Sequence, residues 1–226
     1  MKKILFMTVI LFTCIMSATN IGNPNMMRTH GSDNERVKLN QIKQQKRLEK
    51  IHKMIDTIEF QAEIKIPNYV DTNDIEFIYD KTMEFQLPIR TIFRLVFNES
   101  KFIDTIVSPV GAKGFFQLMP ETEDAYSLML NIDTFNFTYN QKNIYIGLTM
   151  VKDLYDYWRG KGCTDKYSWK LTLASYNAGI KKVFKFRGIP PIQETINYID
   201  YILRRHSNSK FYTNIKKNEN KTKIGT

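Results

Sequence analysis

The sequence is poor in the residues that build metal sites and covalent cross-links. Only three histidines, His30, His52 and His206, and two cysteines, Cys14 and Cys163, occur in 226 residues. The histidines are dispersed and match no metal-ligand spacing, so a protein with no metal and no cofactor is the simplest expectation. Cys14 lies in the opening apolar run, which leaves Cys163 alone in the remainder. One thiol cannot close an intramolecular disulfide, so a domain here must be held by its own core, or Cys163 must pair with another chain. No repeat array, no collagen-like period and no convincing series of strands is present. The phosphate-loop spacing G-x-x-x-x-G-K-[ST] is also missing.

What is present excludes a wholly disordered chain, because 42% of the residues are hydrophobic and 13% aromatic. The length fits one globular domain with appendages. The formal charge of +10 is unevenly placed: Arg28 to Lys53 hold eight basic and three acidic side chains, and residues 207–226 hold five Lys against one Glu. Met54 to His206 hold 18 basic and 19 acidic residues. The basicity therefore lies in the flanks, and with no recognised nucleic-acid motif beside it nucleic acid is rejected as a partner. Those flanks are expected to meet anionic polymers, membrane surfaces or a protein partner.

Residues 1–19 read as a signal peptide or an anchor. Lys2 and Lys3 precede an apolar run from Ile4 to Met16, too short to span a bilayer comfortably and suited to the core of a secretory signal. Cleavage near Ala18 is expected. The bulky Met16 three residues before that site keeps an uncleaved anchor as the competing reading, the one case in which a membrane is a partner. A lipid-modified Cys14 fits poorly, because Phe12 and Thr13 do not suit such a site. Residues 20–70 read as a linker followed by a basic helical extension, polar through Asn34 and helical from Glu35. Ile51, Met54, Ile55 and Ile58 fall there at i, i+3, i+4 and i+7. That helix is either packed on the main domain or solvated, with a spacer or partner-binding role as the alternative, and Pro67 closes it.

The principal domain is expected over residues 71–206, mostly α, with a disordered basic tail at 207–226. Asp71-Thr72-Asn73-Asp74 offers N-caps, and Leu87-Pro88 separates that helix from one beginning near Ile89. Further helices are expected at Glu121–Leu130, Gln141–Arg159, Trp169–Asn177 and Glu194–Arg205. Gly160, Gly162 and Gly179 serve as stops.

In the helix from Ile89, residues Ile92, Leu95 and Val96 lie on or near the face that carries Glu99. A carboxylate set against an apolar stripe loses solvation. Its pKa should rise, as a general acid near neutral pH requires. Glu99 alone is weak evidence. The next segment, Ser108-Pro109-Val110-Gly111-Ala112-Lys113-Gly114-Phe115-Phe116-Gln117-Leu118-Met119-Pro120, has two glycines suited to a tight turn and close approach to a ligand. Gln117 can donate and accept there. Phe115, Phe116 and Met119 either line a groove or pack a helix start.

These residues resemble the catalytic domain of the soluble-type lytic transglycosylases, relatives of the goose-type lysozyme fold. The match runs through Glu99-Ser100, Ser108, Gly111-Ala112-x-Gly114-x-x-Gln117-Leu118-Met119-Pro120-x-Thr122 and Asn143-Ile144-x-x-Gly147. It continues through Leu173-Ala174-Ser175-Tyr176-Asn177-Ala178-Gly179 and Ile189-Pro190 to Glu194-Thr195-x-x-Tyr198. Two departures stand out: Phe115-Phe116 where the family commonly has Leu-Met, a change expected to alter groove shape, and Ser175 where it has Ala. The resemblance implies a mainly α, lysozyme-like single domain with an N-terminal helical extension, exported to the periplasm or cell envelope, where the basic flanks would meet anionic wall polymers or a wall or secretion-machinery protein.

It also implies cleavage of the β-1,4 bond between N-acetylmuramic acid and N-acetylglucosamine in peptidoglycan glycan strands. Glu99 would act as general acid, then as base on the muramic acid 6-hydroxyl, leaving a 1,6-anhydro end. Ser108 would contact the acetamido group, and Gln117 and Met119 would line the groove. Tyr176 would place its hydroxyl near Glu99. Asn177 would support the turn or touch sugar, and Glu194 and Tyr198, four apart on one helical face, would meet the same groove wall. Asp104 reads as a turn residue. Two alternatives stay open: a hydrolytic muramidase on the same scaffold, with an acid such as Asp104 activating water, and a non-catalytic peptidoglycan-binding or assembly protein.

Overall fold

A computed structural model describes residues 30–132 and 137–204. The expected signal segment, the start of the linker and the basic tail lie outside the described residues. Among those described, the secondary structure is helical, with eight helices and no strand longer than an isolated bridge. They are α1 (His30–Ala62), α2 (Thr72–Glu84), α3 (Ile89–Ser100), α4 (Pro120–Met129), α5 (Tyr139–Gly160), α6 (Asp165–Ala178), α7 (Ile180–Phe186) and α8 (Gln193–Leu203). The mainly α expectation holds.

Two compact units divide the chain, Met1–Glu49 and Lys50–Thr226. In the first, α1 already begins at His30, inside the stretch read as a linker, and residues 35–49 are exposed throughout. In the second, α1 supplies Ile51, Met54, Ile58 and Ala62 to the core, with Ile55 partly buried, so the apolar period is a packing face. The core therefore starts well before Asp71. The helix ends at Ala62, five residues before Pro67, and Glu59, itself only 8% exposed, accepts the Ile66 N–H at 2.8 Å and an ammonium from Lys65, folding the chain back on α1.

Local chemistry fixes most helix ends. Asp71 caps α2 by accepting the Asn73 N–H at 2.8 Å, and Pro120 occupies the first turn of α4. Thr138 and Gln141 form a reciprocal capping box that starts α5 two residues before its expected first residue. Asp165 opens α6 four residues earlier than expected. The short α7 was not expected at all: Gly179, at φ 89° and ψ 137°, ends α6 and lets a new helix start on the next residue.

The helix α3 is the spine of the second unit. Ile92, Phe93, Leu95 and Val96 are fully buried, and α3 packs on α2 and α8. Its Arg94, 2% exposed, donates to the Arg204 carbonyl at 2.9 Å, and its guanidinium lies 4.9 Å from the centroid of the Tyr201 ring. Arg90 forks onto Glu63 at 2.8 and 3.4 Å and also reaches the Arg204 carbonyl. The end of α8, rich in unsatisfied carbonyls, is thus clamped to α3 by cations.

Two glycines of α5 should respond oppositely to alanine. A Cβ at Gly147 would lie 2.2 Å from the ring of buried Phe116, whereas one at Gly160 meets nothing within 4 Å. Thermal unfolding should show Gly147→Ala destabilised by roughly 2–3 kcal/mol and Gly160→Ala neutral or stabilised by up to about 1 kcal/mol. Equal effects would contradict this packing.

Candidate active site

Glu99 sits in the last turn of α3, half-buried behind the apolar face of its own helix. Its pKa is pushed up from 4.5 to about 7, chiefly by burial, with the Glu194 carboxylate adding to the rise. A hydrogen bond from Tyr198 and the Lys101 ammonium act in the opposite sense. The helix C-terminus, with its negative partial charge, also disfavours a carboxylate.

Tyr198, on α8 and 5% exposed, donates its hydroxyl to Glu99 Oε1. Burial and the neighbouring carboxyl hold the Tyr198 hydroxyl well above its usual pKa, so it remains a donor. The expectation placed the Tyr176 hydroxyl near Glu99 and gave Tyr198 only a place on the groove wall; the direct hydrogen bond to the carboxyl comes from Tyr198. The Tyr176 hydroxyl instead donates to the Phe116 carbonyl at 2.6 Å, although the Glu99 charge still raises its pKa. Glu194, one turn before Tyr198, is exposed and contributes through charge.

The loop between α3 and α4 is stapled from several sides. Ser108 Oγ accepts the Ala112 N–H at 3.0 Å, which leaves its own O–H to donate outward. Gly111 and Gly114 take φ of 90° and 73°, and Lys113 bridges to both Val107 and Leu118. Gln117, at φ 45°, spends its amide N–H groups on the carbonyls of Ile106 (3.2 Å) and Gly114 (3.0 Å), so its oxygen is the group left to face a ligand. The strain of a left-handed glutamine is held by those bonds.

Asn143, fully buried on α5, accepts the Phe116 N–H and donates to the Lys113 carbonyl, both at 3.0 Å. A side chain at Gly114 would collide with it at 2.7 Å, so the Gly114 and Asn143 positions of the motif form one contact. Phe115 and Phe116 are 1% and 0% exposed, so of the two readings left open, lining a groove or packing, they take the second. Ser175 accepts the Trp158 indole N–H at 3.1 Å, giving this departure from alanine a bonding role between α5 and α6.

Four of the expected residues meet at one cavity of about 330 Å³. Gln117, Met119, Tyr176 and Asn177 line it, with Met150 and Leu154 from α5. Glu99, Tyr198, Ser108 and Glu194 do not line it; Tyr176 is the link, since it faces the cavity and feels the Glu99 charge. Asn177 accepts the hydroxyl of buried Thr195 at 2.7 Å, tying the end of α6 to α8. Thr195 was named within the motif but given no role, and Lys101 was missed as a site neighbour. The first had a signal in its place beside Glu194, and the second had none beyond adjacency.

Asp104 is held by Asn140 at 3.2 Å, and Asn140 also donates to Asp74 at 2.9 Å. Asp104 lies in a turn after α3. Among the described residues no group of three or more His, Cys, Asp or Glu side chains is placed to hold a metal ion.

The raised pKa carries a stability signature. Because the native pKa of about 7 exceeds the ordinary 4.5, the folded state binds this proton more tightly. Its contribution is complete below the lower value and is lost as pH rises through the upper one. Glu99→Gln keeps a neutral group throughout. Its stability relative to the parent should therefore increase by up to about 3 kcal/mol between about pH 4 and pH 8, read from denaturant unfolding at each pH. A pH-independent difference would contradict the burial described.

With that geometry in place, similarity to known proteins gains meaning. Among solved structures, the 70 kDa soluble lytic transglycosylase of Escherichia coli is 22% identical, with a TM-score of 0.47, covering 57% of this chain and 22% of that one. An inactive variant of the lytic transglycosylase Slt from Pseudomonas aeruginosa is 25% identical, with a TM-score of 0.47, covering 60% of this chain and 25% of that one. The chain thus spans a quarter or less of the length of those enzymes. The model of the transglycosylase SLT domain matches residues 76–199, more than half of the 226 residues and the interval that contains Glu99, the stapled loop and Tyr198. On that match, the chain belongs to the transglycosylase SLT domain family.

Proposed function

We propose that this protein is a peptidoglycan lytic transglycosylase that cleaves the β-1,4 bond between N-acetylmuramic acid and N-acetylglucosamine without water. Membership of the SLT domain family supports the substrate class. The single observation that carries the mechanism is the half-buried Glu99, titrating at about 7 and bonded to a permanent donor. A group with that pKa is present as acid and as base in comparable amounts near neutrality, which is what one residue serving both steps requires.

In the proposed reaction Glu99 gives its proton to the glycosidic oxygen as the C1–O bond breaks. The neighbouring acetamido group assists at C1. The resulting Glu99 carboxylate then takes the proton of the muramic acid 6-hydroxyl while O6 bonds to C1, closing the 1,6-anhydro ring and restoring the acid. Tyr198 stabilises the carboxylate between the two proton transfers. Ser108 would contact the acetamido group, and Gln117, Met119, Tyr176 and Asn177 would hold the glycan in the cavity. Glu194 would raise the proton affinity of Glu99 from the rim. Export to the periplasm or cell envelope belongs to the same proposal and rests on the Lys2-Lys3 and Ile4–Met16 pattern.

Digestion of purified peptidoglycan, with mass analysis of the fragments, tests bond and mechanism together. Termini lighter by one water are expected; reducing termini alone would assign hydrolysis, and no fragments from the parent protein would assign a binding role. Glu99→Gln should lower the rate at least about 1000-fold. Tyr198→Phe should lower it about 10- to 100-fold and shift the pH profile upward, since the lost hydrogen bond is one that favours the charged form. A profile left unmoved would remove Tyr198 from this role.

A further inference from the structure

The near-zero charge of the domain conceals a strong polarity. Residues 159–187 carry eight basic side chains and one acidic, while the rest of Met54–His206 carries ten basic and eighteen acidic. The basic stretch comprises the end of α5, all of α6 and all of α7. On it the structure opens a second cavity, of about 280 Å³, walled by Trp158, Leu171, Val183 and Phe184, with Cys163 and Arg187 at its edges. Exposed aromatics surround it: Phe184 is 49% accessible, Phe186 46%, Tyr167 41% and Tyr157 37%. Phe184 packs on Trp158 and Tyr157, with centroids 5.6 and 5.9 Å apart. Lys161 lies over the Tyr157 ring at 5.1 Å and Lys185 over Phe186 at 5.8 Å, while Lys181 and Lys182 are exposed.

Scattered exposed apolar side chains are ordinary on a soluble protein, but an aromatic patch at a hollow, on a stretch with eight basic side chains and one acidic, has the character of an interaction surface. Its chemistry narrows the occupant. The chain's own termini are poor candidates, since residues 207–226 and the stretch from Arg28 to Lys53 are both basic. A neutral sugar would leave the cluster of basic side chains without a counter-charge. A lipid surface is flat, whereas this hollow is concave and has room for one bulky side chain.

We propose that the α7 face docks an acidic peptide segment of a protein partner, with one large apolar side chain entering the cavity and flanking carboxylates meeting Lys181, Lys182, Lys185 and Arg187. This surface does not include Glu99 or its neighbours, so the inference stands apart from the proposed reaction. Ile180, the first residue of α7, also lines the 330 Å³ cavity, so a docked partner lies beside the glycan groove.

The test uses the full chain carrying Cys14→Ser, which leaves Cys163 as the reporter at the cavity. The probe is a short fluorescein-labelled peptide of alternating Asp and Glu around a central Phe. Its controls replace that Phe by Ser, or the acids by Lys. Saturable binding of the acidic Phe peptide is expected, weakening with salt and slowing iodoacetamide alkylation of Cys163 by about threefold or more. Lys182→Glu with Lys185→Glu, both exposed, should fold as the parent does and weaken binding about tenfold or more. Phe184→Ser should weaken binding without changing its salt dependence. Absence of binding, binding indifferent to the charge reversal, or binding that leaves Cys163 unprotected overturns the proposal. So does uptake by phosphatidylglycerol vesicles where the peptide fails, which assigns a membrane, or a dimer abolished by the charge reversal, which assigns a second copy.

Discussion

A hydrogen bond from the Tyr198 hydroxyl to the Glu99 carboxyl joins the two helices on which the site depends. It works against burial. Taking a carboxyl out of water favours the protonated form, and a permanent donor favours the charged one. Neither influence alone yields a group poised near 7. Burial without the phenol would leave an acid reluctant to release its proton, and the phenol without burial would leave an ordinary exposed carboxylate. The residue needs both because the proposed reaction uses it in both states.

That bond is only as exact as the placement of α3 against α8. At the far end of the pair, Arg90 and Arg94 of α3 both hold the carbonyl of Arg204, the residue that caps α8, and at the near end Thr195 anchors Asn177 of α6. The loop after α3 is fixed from above and below: Asn143 binds its backbone, Gly147 admits the Phe116 ring, and Tyr176 holds the Phe116 carbonyl. Several motif residues thus act by positioning other groups, a use of polar side chains that demands full hydrogen bonding when they are buried.

Much of this was legible from residue type and spacing. The apolar stripe of Ile92, Leu95 and Val96 predicted a desolvated Glu99, and Asp71 and Pro88 marked helix ends that the structure keeps. What stayed hidden depends on tertiary contact. Tyr176 and Tyr198 are equally able donors in a sequence, and only the meeting of α3 with α8 decides which one reaches the carboxyl. Phe115 and Phe116 could line a groove or pack a helix start by sequence, and the choice is made by Asn143 and Gly147, which hold Phe116 inward. Pro67 was expected to close the first helix, but that helix ends at Ala62 and a buried Glu59 turns the chain back onto it. The short α7 was invisible because seven residues show too little period to outweigh the glycine before them.

The most direct test of the account is a titration of the Glu99 carboxyl itself, followed by carbon NMR in protein labelled at glutamate side chains and assigned with Glu99→Gln. A midpoint near 7 is predicted, well separated from exposed glutamates. A midpoint near the ordinary 4.5 would contradict it, for a carboxyl so easily ionised could not serve as the acid near neutral pH.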